Sequence, residues 1–157
     1  MEIKLKNLVV TDYDSRDMDK VKFVRDVAND KDIRRYVSND IDQWLMRPHY
    51  TNDALENCVV YMVKDKDKIV GLFKPAVYYG TDIGLDYAVH PDFRRKGYGT
   101  KILLEVSDYF FDRNVERVSL CIDNTNIGSI NAAINAGFGK RNVGYQMITE
   151  YVKERKV

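Results

Sequence analysis

The sequence contains little of what would tie it to a membrane, an export route or nucleic acid. Its 157 residues include 25 Lys and Arg against 24 Asp and Glu, a formal net charge of +1, so we expect no general attraction to nucleic acid or to an anionic membrane. No apolar run approaches the roughly 18 residues of a spanning helix. The first ten residues lack the apolar region and small-residue cleavage site of a signal peptide. These absences favour a cytoplasmic protein.

Cysteine and proline are scarce as well. The two cysteines, Cys58 and Cys121, each stand in an apolar stretch, where a buried, reduced thiol is the usual state in a cytoplasmic protein. A functional thiol or a disulfide is the alternative. With three prolines and nine glycines, the chain has no Pro/Gly-rich linker, and no repeat or low-complexity tract divides it. We therefore expect a single domain over residues 1–157.

The chain does contain regular strand patterns. The stretch IKLKNLVV predicts a first strand, and CVVYMVKDKDKIVGLFKPAVYY predicts two strands around a charged turn. A further strand, DIGLDYAVH, ends at Pro91, so His90 should be extended. VERVSLCI reads as a buried strand, and FGKRNVGYQMITEYVKE gives two closing strands.

Apolar residues at helical spacing predict four helices between these strands. The first covers residues 17–28, with Ser15 as its expected cap. A shorter one holds Ile33 and later apolar residues and ends before Pro48. The third begins in TKILLEVSDYFFD, and the fourth, NTNIGSINAAINAGF, carries an asparagine N-cap and Gly137 as a left-handed C-cap. The order is that of an α/β domain with a mixed sheet.

One loop combines three bases, two glycines and a helix start, in HPDFRRKGYGTKIL at residues 90–103. Gly97 and Gly99 let the main chain turn tightly and approach a ligand, because they carry no Cβ. The helix expected from near Thr100 directs unpaired N–H groups and its positive dipole end at the loop. This pattern predicts a cradle for a diphosphate, although its glycines fit neither a P-loop nor a dinucleotide fingerprint. A basic glycine turn before a surface helix is the alternative.

These residues resemble a known family. Arg94-Arg95-Lys96-Gly97-Tyr98-Gly99 resembles the Arg/Gln-x-x-Gly-x-Gly/Ala signature of the GNAT superfamily of acyl-CoA N-acetyltransferases. LDYAVHPDF resembles the family's fourth strand, and NIGSINAAINAGF is similar to its second conserved region, an Asn-led helix that closes on Gly-Phe. The Asn-x-x-Ser form is most similar to the ribosomal-protein N-terminal (alanine) acetyltransferase-like branch, which also contains antibiotic-modifying and other small-amine acetyltransferases.

The resemblance implies an architecture. We expect a mixed, mostly antiparallel sheet of about six to seven strands flanked by about four helices. The family's fourth and fifth strands splay apart, here between DYAVH and RVSLC. Acceptor-side elements would occupy about residues 1–80 and the acetyl-CoA-binding core about residues 82–138. The protein would be a monomer or a homodimer.

The resemblance also implies an acetyl-CoA site and no metal. Backbone N–H groups of the loop would hold the coenzyme A diphosphate, and exposed strand backbone would pair with the pantetheine arm. Asn126 would touch the pantetheine or orient the thiol end, or serve only as a helix N-cap. The expected acetyl-CoA contacts are Tyr87, Ala88, Val89, Arg94, Arg95, Lys96, Gly97, Tyr98, Gly99, Thr100, Asn126 and Ser129.

One position departs from the family pattern. Many members carry a tyrosine seven residues after the conserved asparagine, which protonates the leaving thiolate, whereas this chain has Ala133 there. Ser129 lies on the same helical face as Asn126 and Ala133. Its hydroxyl is therefore a candidate donor, directly or through a water. Packing, or a bond back to the helix, would explain Ser129 as well.

The base has several candidates. Asp82 and Asp86 lie on the strand where family members often carry a carboxylate, and their spacing places them on one face. Either could accept the amine proton, or form a solvated strand edge. His90, at the strand end, fits a structural role better. His49 lies in the acceptor half without anything that fixes it to the site.

The expected activity is transfer of an acetyl group from acetyl-CoA to a primary amine by direct attack in a ternary complex. The acceptor stays open between a peptide N-terminus, a polyamine, an aminoglycoside and another small amine. Aromatic residues of the acceptor half could line its pocket or the core: Trp44, Tyr50, Tyr78 and Tyr79. A non-catalytic acyl-CoA sensor or interaction domain of the same fold is the alternative, and an unrelated nucleotide-phosphate-binding module is a more distant one.

Overall fold

The computed structural model describes residues 2–36, 60–79, 81–145 and 147–156. These residues form eight strands, β1 (Glu2–Lys4), β2 (Val9–Asp12), β3 (Tyr61–Asp65), β4 (Lys68–Tyr79), β5 (Asp82–Val89), β6 (Arg117–Asp123), β7 (Gly139–Tyr145) and β8 (Ile148–Glu154). Their α-helices are α1 (Met18–Asn29), α2 (Lys31–Tyr36), α3 (Tyr98–Phe111) and α4 (Ile127–Asn135). The strands make one sheet in the order β1-β2-β3-β4-β5-β6-β8-β7.

The mixed α/β fold is confirmed, but the sheet has eight strands rather than six or seven. The extra strand arises because IKLKNLVV is not one strand. Its chain turns where the Leu5 amide donates to the Leu8 carbonyl at 2.8 Å, and β1 and β2 pair as an antiparallel hairpin. Buried Glu105 of α3 accepts hydrogen bonds from the amides of Asn7 and Leu8. Because Glu105 lies 97 residues from Leu8, the local pattern could not reveal this turn.

The sheet opens between β5 and β6. These two strands are parallel, and their register holds only three pairs, from Asp82–Arg117 to Gly84–Ser119. Beyond Gly84, β5 continues along β4, while β6 continues along β8. The strands therefore separate at residues 85–89 and 120–123, which confirms the predicted splay. We call this gap the opening.

The two faces of the sheet carry different layers. On one face, α3 and α4 pack against odd-numbered β5 residues such as Ile83 and Leu85. On the other face, α1 packs through residues including Val27 against even-numbered Ala88. Side chains alternate along a strand, so Tyr87 belongs to the α3/α4 face. The predicted apolar face of α3 is buried throughout, in Ile102, Leu103, Val106, Tyr109 and Phe110.

Two helices begin at other residues than predicted. The N-cap of α1 is Asp17, whose carboxylate accepts from the amides of Asp19 and Lys20, so Ser15 was the wrong residue. The third helix begins at Tyr98, two residues before Thr100. The predicted continuation of α2 beyond residue 36 lies outside the described residues. None of the described helices is long and apolar enough to cross a membrane.

Gly71 of β4 lies directly beneath α3, with no room for a side chain. A Cβ there would lie 2.7 Å from Cδ1 of Ile102 and 2.8 Å from the carbonyl oxygen of Ala88. The second atom is backbone of a neighbouring strand, so it cannot rotate away. We expect Gly71→Ala to lower the free energy of unfolding by about 1–3 kcal/mol in urea denaturation. In the control Gly139→Ala, a Cβ meets no described atom within 4 Å, so the free energy of unfolding should change by less than about 0.5 kcal/mol. Equal losses in the two variants would contradict the packing explanation.

Candidate functional site

The glycine loop, residues 94–97, lies between the 3-10 turn Pro91–Phe93 and α3. Arg95 and Gly97 both have left-handed backbone, with φ of 62° and 80°. Right-handed Tyr98 follows Gly97 directly, and this alternation turns successive N–H groups to one side, as in an anion-binding nest. A Cβ on Gly97 would meet no atom of the described residues within 4 Å. The loop therefore presents bare backbone to open space.

The first turn of α3 adds further N–H donors. Its first intrahelical bond runs from the Lys101 amide to the Gly97 carbonyl at 3.1 Å. No described side chain caps this helix, whereas side chains cap α1 and α4. The amides of Tyr98, Gly99 and Thr100 thus join the positive end of the helix dipole at the loop. This arrangement suits a diphosphate.

Arg94 points away from these amides toward the α1–α2 junction. Its guanidinium lies 2.6 Å from the carboxylate of Asp30 and 3.4 Å from that of Asp32. Burial opposes ionisation of Asp30, but hydrogen bonds from Arg94 and from the Ile33 amide lower its pKa overall. The side chain of Arg94 therefore ties the glycine loop to the α1–α2 junction, and its contact with acetyl-CoA stays a prediction.

Two hydrogen-bonded side chains fix the flanks of the loop. Buried His90 uses both ring nitrogens: Nε2 is 3.1 Å from Oδ2 of Asp26, and Nδ1 accepts from the Asp92 amide at 3.1 Å. This geometry supports the structural role of His90. Tyr98 donates its phenol to Oδ2 of Asp65 at 2.6 Å, and this bond raises the pKa of Tyr98.

A hydroxyl pair bridges β5 and α4. The phenol oxygen of Tyr87 lies 2.8 Å from Oγ of Ser129, and the Ser129 amide donates to Oδ1 of Asn126, the predicted N-cap, at 3.3 Å. Burial raises the pKa of Tyr87, and the bond to Ser129 opposes this shift in part. Ala133 is fully buried in the core. The sequence predicted only a backbone role for Tyr87, and no local pattern indicates where its phenol points.

The other face of the opening carries carboxylates and a thiol. Asp86 and Cys121 are exposed there, so Cys121 is not buried as predicted. Alternation along β6 buries Leu120 and Ile122 and turns Cys121 outward. Partial burial, followed by the charges of Glu150 and Asp86, raises the pKa of the Cys121 thiol. The negative charges of Asp86 and Glu150 therefore both act on the Cys121 thiol at this face.

Asp82 lies on the closed side of the opening. Its carboxylate is 3.2 Å from Nη1 of Arg117. Nη2 of the same guanidinium pairs with Glu154 at 3.0 Å. Asp82 lies in the short stretch where β5 and β6 are paired. Asp86 instead stands beyond the split, opposite Lys74 of β4. The structure thus separates the two carboxylates that the sequence grouped together.

Other acceptor-side residues named from the sequence are only partly placed. Trp44, His49 and Tyr50 lie outside the described residues, as does Cys58. Tyr79 ends β4. Within the described ranges, no group of three or more His, Cys, Asp or Glu side chains is arranged to hold a metal ion.

The sheet, the opening and the helix start beside the glycine loop together define a class, a mixed α/β domain with an open sheet. The model of the acetyltransferase (GNAT) family matches residues 22–138, well over half of the chain. The protein therefore belongs to the GNAT family, whose members use acetyl-CoA as cosubstrate. No curated protein sequence matches the chain.

Solved structures share the fold at low sequence identity. A GNAT-family acetyltransferase from Bacillus anthracis is 16% identical with a TM-score of 0.71, covering 97% of this chain and 96% of its own. Aminoglycoside acetyltransferase AAC(6')-Ib in complex with coenzyme A is 16% identical with a TM-score of 0.71, covering 95% and 94%. Mycobacterium smegmatis RimJ in complex with CoA-disulfide is 13% identical with a TM-score of 0.71, covering 98% and 86%.

Proposed function

We propose that this protein transfers an acetyl group from acetyl-CoA to a primary amine, at a peptide N-terminus or on a small molecule. The observation that carries the proposal is the open nest at Gly97 beside the uncapped start of α3. Such a backbone cradle suits the coenzyme diphosphate. Two structural neighbours support the same ligand class: AAC(6')-Ib in complex with coenzyme A and RimJ in complex with CoA-disulfide.

The opening supports the rest of the ligand site. At residues 85–89, β5 pairs with no other described strand on the side of β6; we propose that main-chain groups of residues 87–89 bind an extended pantetheine arm. Asn126 uses Oδ1 for its cap, which leaves its amide hydrogens as donors to the same arm. We propose that these groups align the thioester with the opening.

The chemistry then needs an amine, a base and an acid. The neutral amine nitrogen bonds to the thioester carbonyl carbon, the C–S bond breaks, and no covalent enzyme intermediate is required. We propose that Asp86, directly or through water, accepts the proton lost by the ammonium group. Ser129 donates its hydroxyl proton to the departing thiolate and regains one afterwards. Asp82, held by Arg117 at 3.2 Å, fits an ion-pair role better.

Release of coenzyme A thiol tests the activity. With acetyl-CoA, we expect thiol release that depends on an added amine, in a panel of peptides with free N-termini, polyamines and aminoglycosides. Hydrolysis is the background, measured without an amine. Acetyl-CoA binding by calorimetry without thiol release for any amine would contradict the proposal and favour the acyl-CoA sensor.

Asp86→Asn tests the base. The substitution keeps the size of the side chain and removes its proton acceptor, so kcat/KM should fall by about tenfold. This loss is smaller than that expected for removal of a full general base, because a weakly basic amine also loses its proton unaided. Acetyl-CoA affinity should hold within about twofold. Asp82→Asn is the comparison on the same strand face, and its main effect should be on stability through loss of the Arg117 pair. A larger loss of kcat/KM in Asp82→Asn would reverse the assignment.

A further inference from the structure

We propose that Tyr87 is a positioning residue that orients the Ser129 hydroxyl and replaces its proton, so that the two hydroxyls form one proton-donating unit at the thiolate. This inference rests on the proposed acetyl transfer and on the same site. It assigns to the Tyr87 side chain a role beyond the backbone contact expected of its position.

The first support is the geometry of the pair. The two oxygens are 2.8 Å apart, and either can donate. When the Tyr87 phenol donates, the Ser129 hydrogen must point elsewhere, which frees it for an acceptor in the opening. The Asn126 cap receives the Ser129 amide at 3.3 Å and holds Ser129 in the first turn of α4. The serine hydroxyl therefore has a fixed location and one fixed hydrogen-bond partner.

The second support is the fixed position of the phenol ring. Tyr87 packs against the first turn of α3, where a Cβ on Gly99 would lie 3.6 Å from Cε2 and 3.9 Å from the phenol oxygen. The same Cβ would lie 3.3 Å from that of Ala132 in α4. The hydroxyl pair thus lies where β5, α3 and α4 meet, beside the helix start that receives the diphosphate. Burial also keeps the phenol protonated, because it raises the pKa of Tyr87.

The third support is the buried Ala133. This residue stands seven positions after Asn126 and is fully enclosed by the core, so α4 itself brings no phenol to its inner face at that point. Tyr87 brings one to the same helix from β5, one helical turn nearer the N-terminus. The phenol on the thiolate side of the opening is therefore supplied by β5 and not by α4.

The proton balance is complete within the site. As the C–S bond breaks, the coenzyme A sulfur takes the Ser129 hydroxyl proton, and Ser129 takes the Tyr87 phenol proton in the same event. The Tyr87 phenolate regains a proton from water after the products leave. Concerted transfer avoids a free serine alkoxide, and no oxidant, reductant or further reactant is needed.

Tyr87→Phe tests the pair because it removes one oxygen and keeps the ring. We expect kcat to fall by about tenfold, with KM for acetyl-CoA and calorimetric affinity held within about twofold. Ser129→Ala should cost about as much, and the double variant should lose little more, because the two hydroxyls act as a unit. The solvent deuterium isotope effect on kcat should fall in Tyr87→Phe. Tyr109→Phe is the matched control: that buried hydroxyl has no hydrogen-bond partner among the described residues, and its loss should change kcat by less than about twofold.

The outcomes separate this inference from the proposed function. If the wild-type protein transfers acetyl groups and Tyr87→Phe retains full kcat, the role of Tyr87 is wrong and the activity stands. A raised KM with unchanged kcat would also overturn it, and would assign the hydroxyls to pantetheine binding. Additive losses in the double variant would show two independent effects. If the wild-type protein transfers nothing, both proposals fail together.

Discussion

Replacing Gly97 with aspartate should weaken acetyl-CoA binding by about a hundredfold or more and leave the protein folded. Asp tolerates left-handed backbone better than most residues, and in the part of the chain that the structure describes no atom lies within 4 Å of a Cβ at this position. The new carboxylate would stand among the amides that receive the diphosphate. Two unit charges 4 Å apart repel by about 4 kcal/mol at an effective dielectric constant near 20, and a hundredfold loss needs only about 2.7 kcal/mol.

Two further variants separate charge from backbone strain. Gly97→Asn has nearly the same shape without the charge, so its loss of affinity should be much smaller than that of Gly97→Asp. Gly137→Asp introduces the same charge at another left-handed glycine, with φ of 90° beyond the C-terminus of α4, and should change affinity by less than about threefold. Calorimetry with acetyl-CoA measures all three. Unchanged affinity in a folded Gly97→Asp protein would remove the diphosphate from this loop.

The parts of this site that the sequence predicted are those encoded within one short stretch of chain. The left-handed Gly97, the Asn126 cap and the left-handed Gly137 each follow from residue type and local spacing. The splay between β5 and β6 came from the resemblance and not from spacing, and the register confirms it. Cys121 was wrongly predicted to be buried, although its alternation with Leu120 and Ile122 along the strand indicates its exposure.

The parts that escaped prediction depend on contacts between distant residues. Arg94 turns to Asp30 across 64 positions, and Tyr87 reaches Ser129 across 42. Glu105 divides the first predicted strand from 97 positions away. Each contact depends on the position and orientation of the helices packed on the sheet, and residue type and periodicity do not specify these. The two candidate carboxylates were separated for the same reason, since only the fold shows that β6 parts from β5 beyond Gly84.

An α-amino group should be acetylated about 300-fold faster than a lysine side chain at pH 7. Only the neutral amine can attack the thioester. With pKa values near 8 and 10.4, the lysine pays about 3–4 kcal/mol more for deprotonation. Asp82 is held in an ion pair with Arg117 at 3.2 Å, so exposed Asp86 is the carboxylate left as the proposed base. A site of this kind favours acceptors that lose their proton easily.

The same reasoning predicts the direction in which the acetylation rate changes with pH. Raising the pH increases the neutral fraction, so the rate should rise with pH and level off near the acceptor's own pKa. The measurement is a pair of acetylation profiles from about pH 6 to about pH 10, on peptides that differ only in which amine is blocked. The two profiles should approach each other toward the alkaline end, because the α-amine is then almost fully neutral while the neutral fraction of the lysine is still rising, to roughly a quarter near pH 10. A preference for the lysine amine at pH 7 would contradict the prediction, because it would require a stronger base than Asp86 close to the opening.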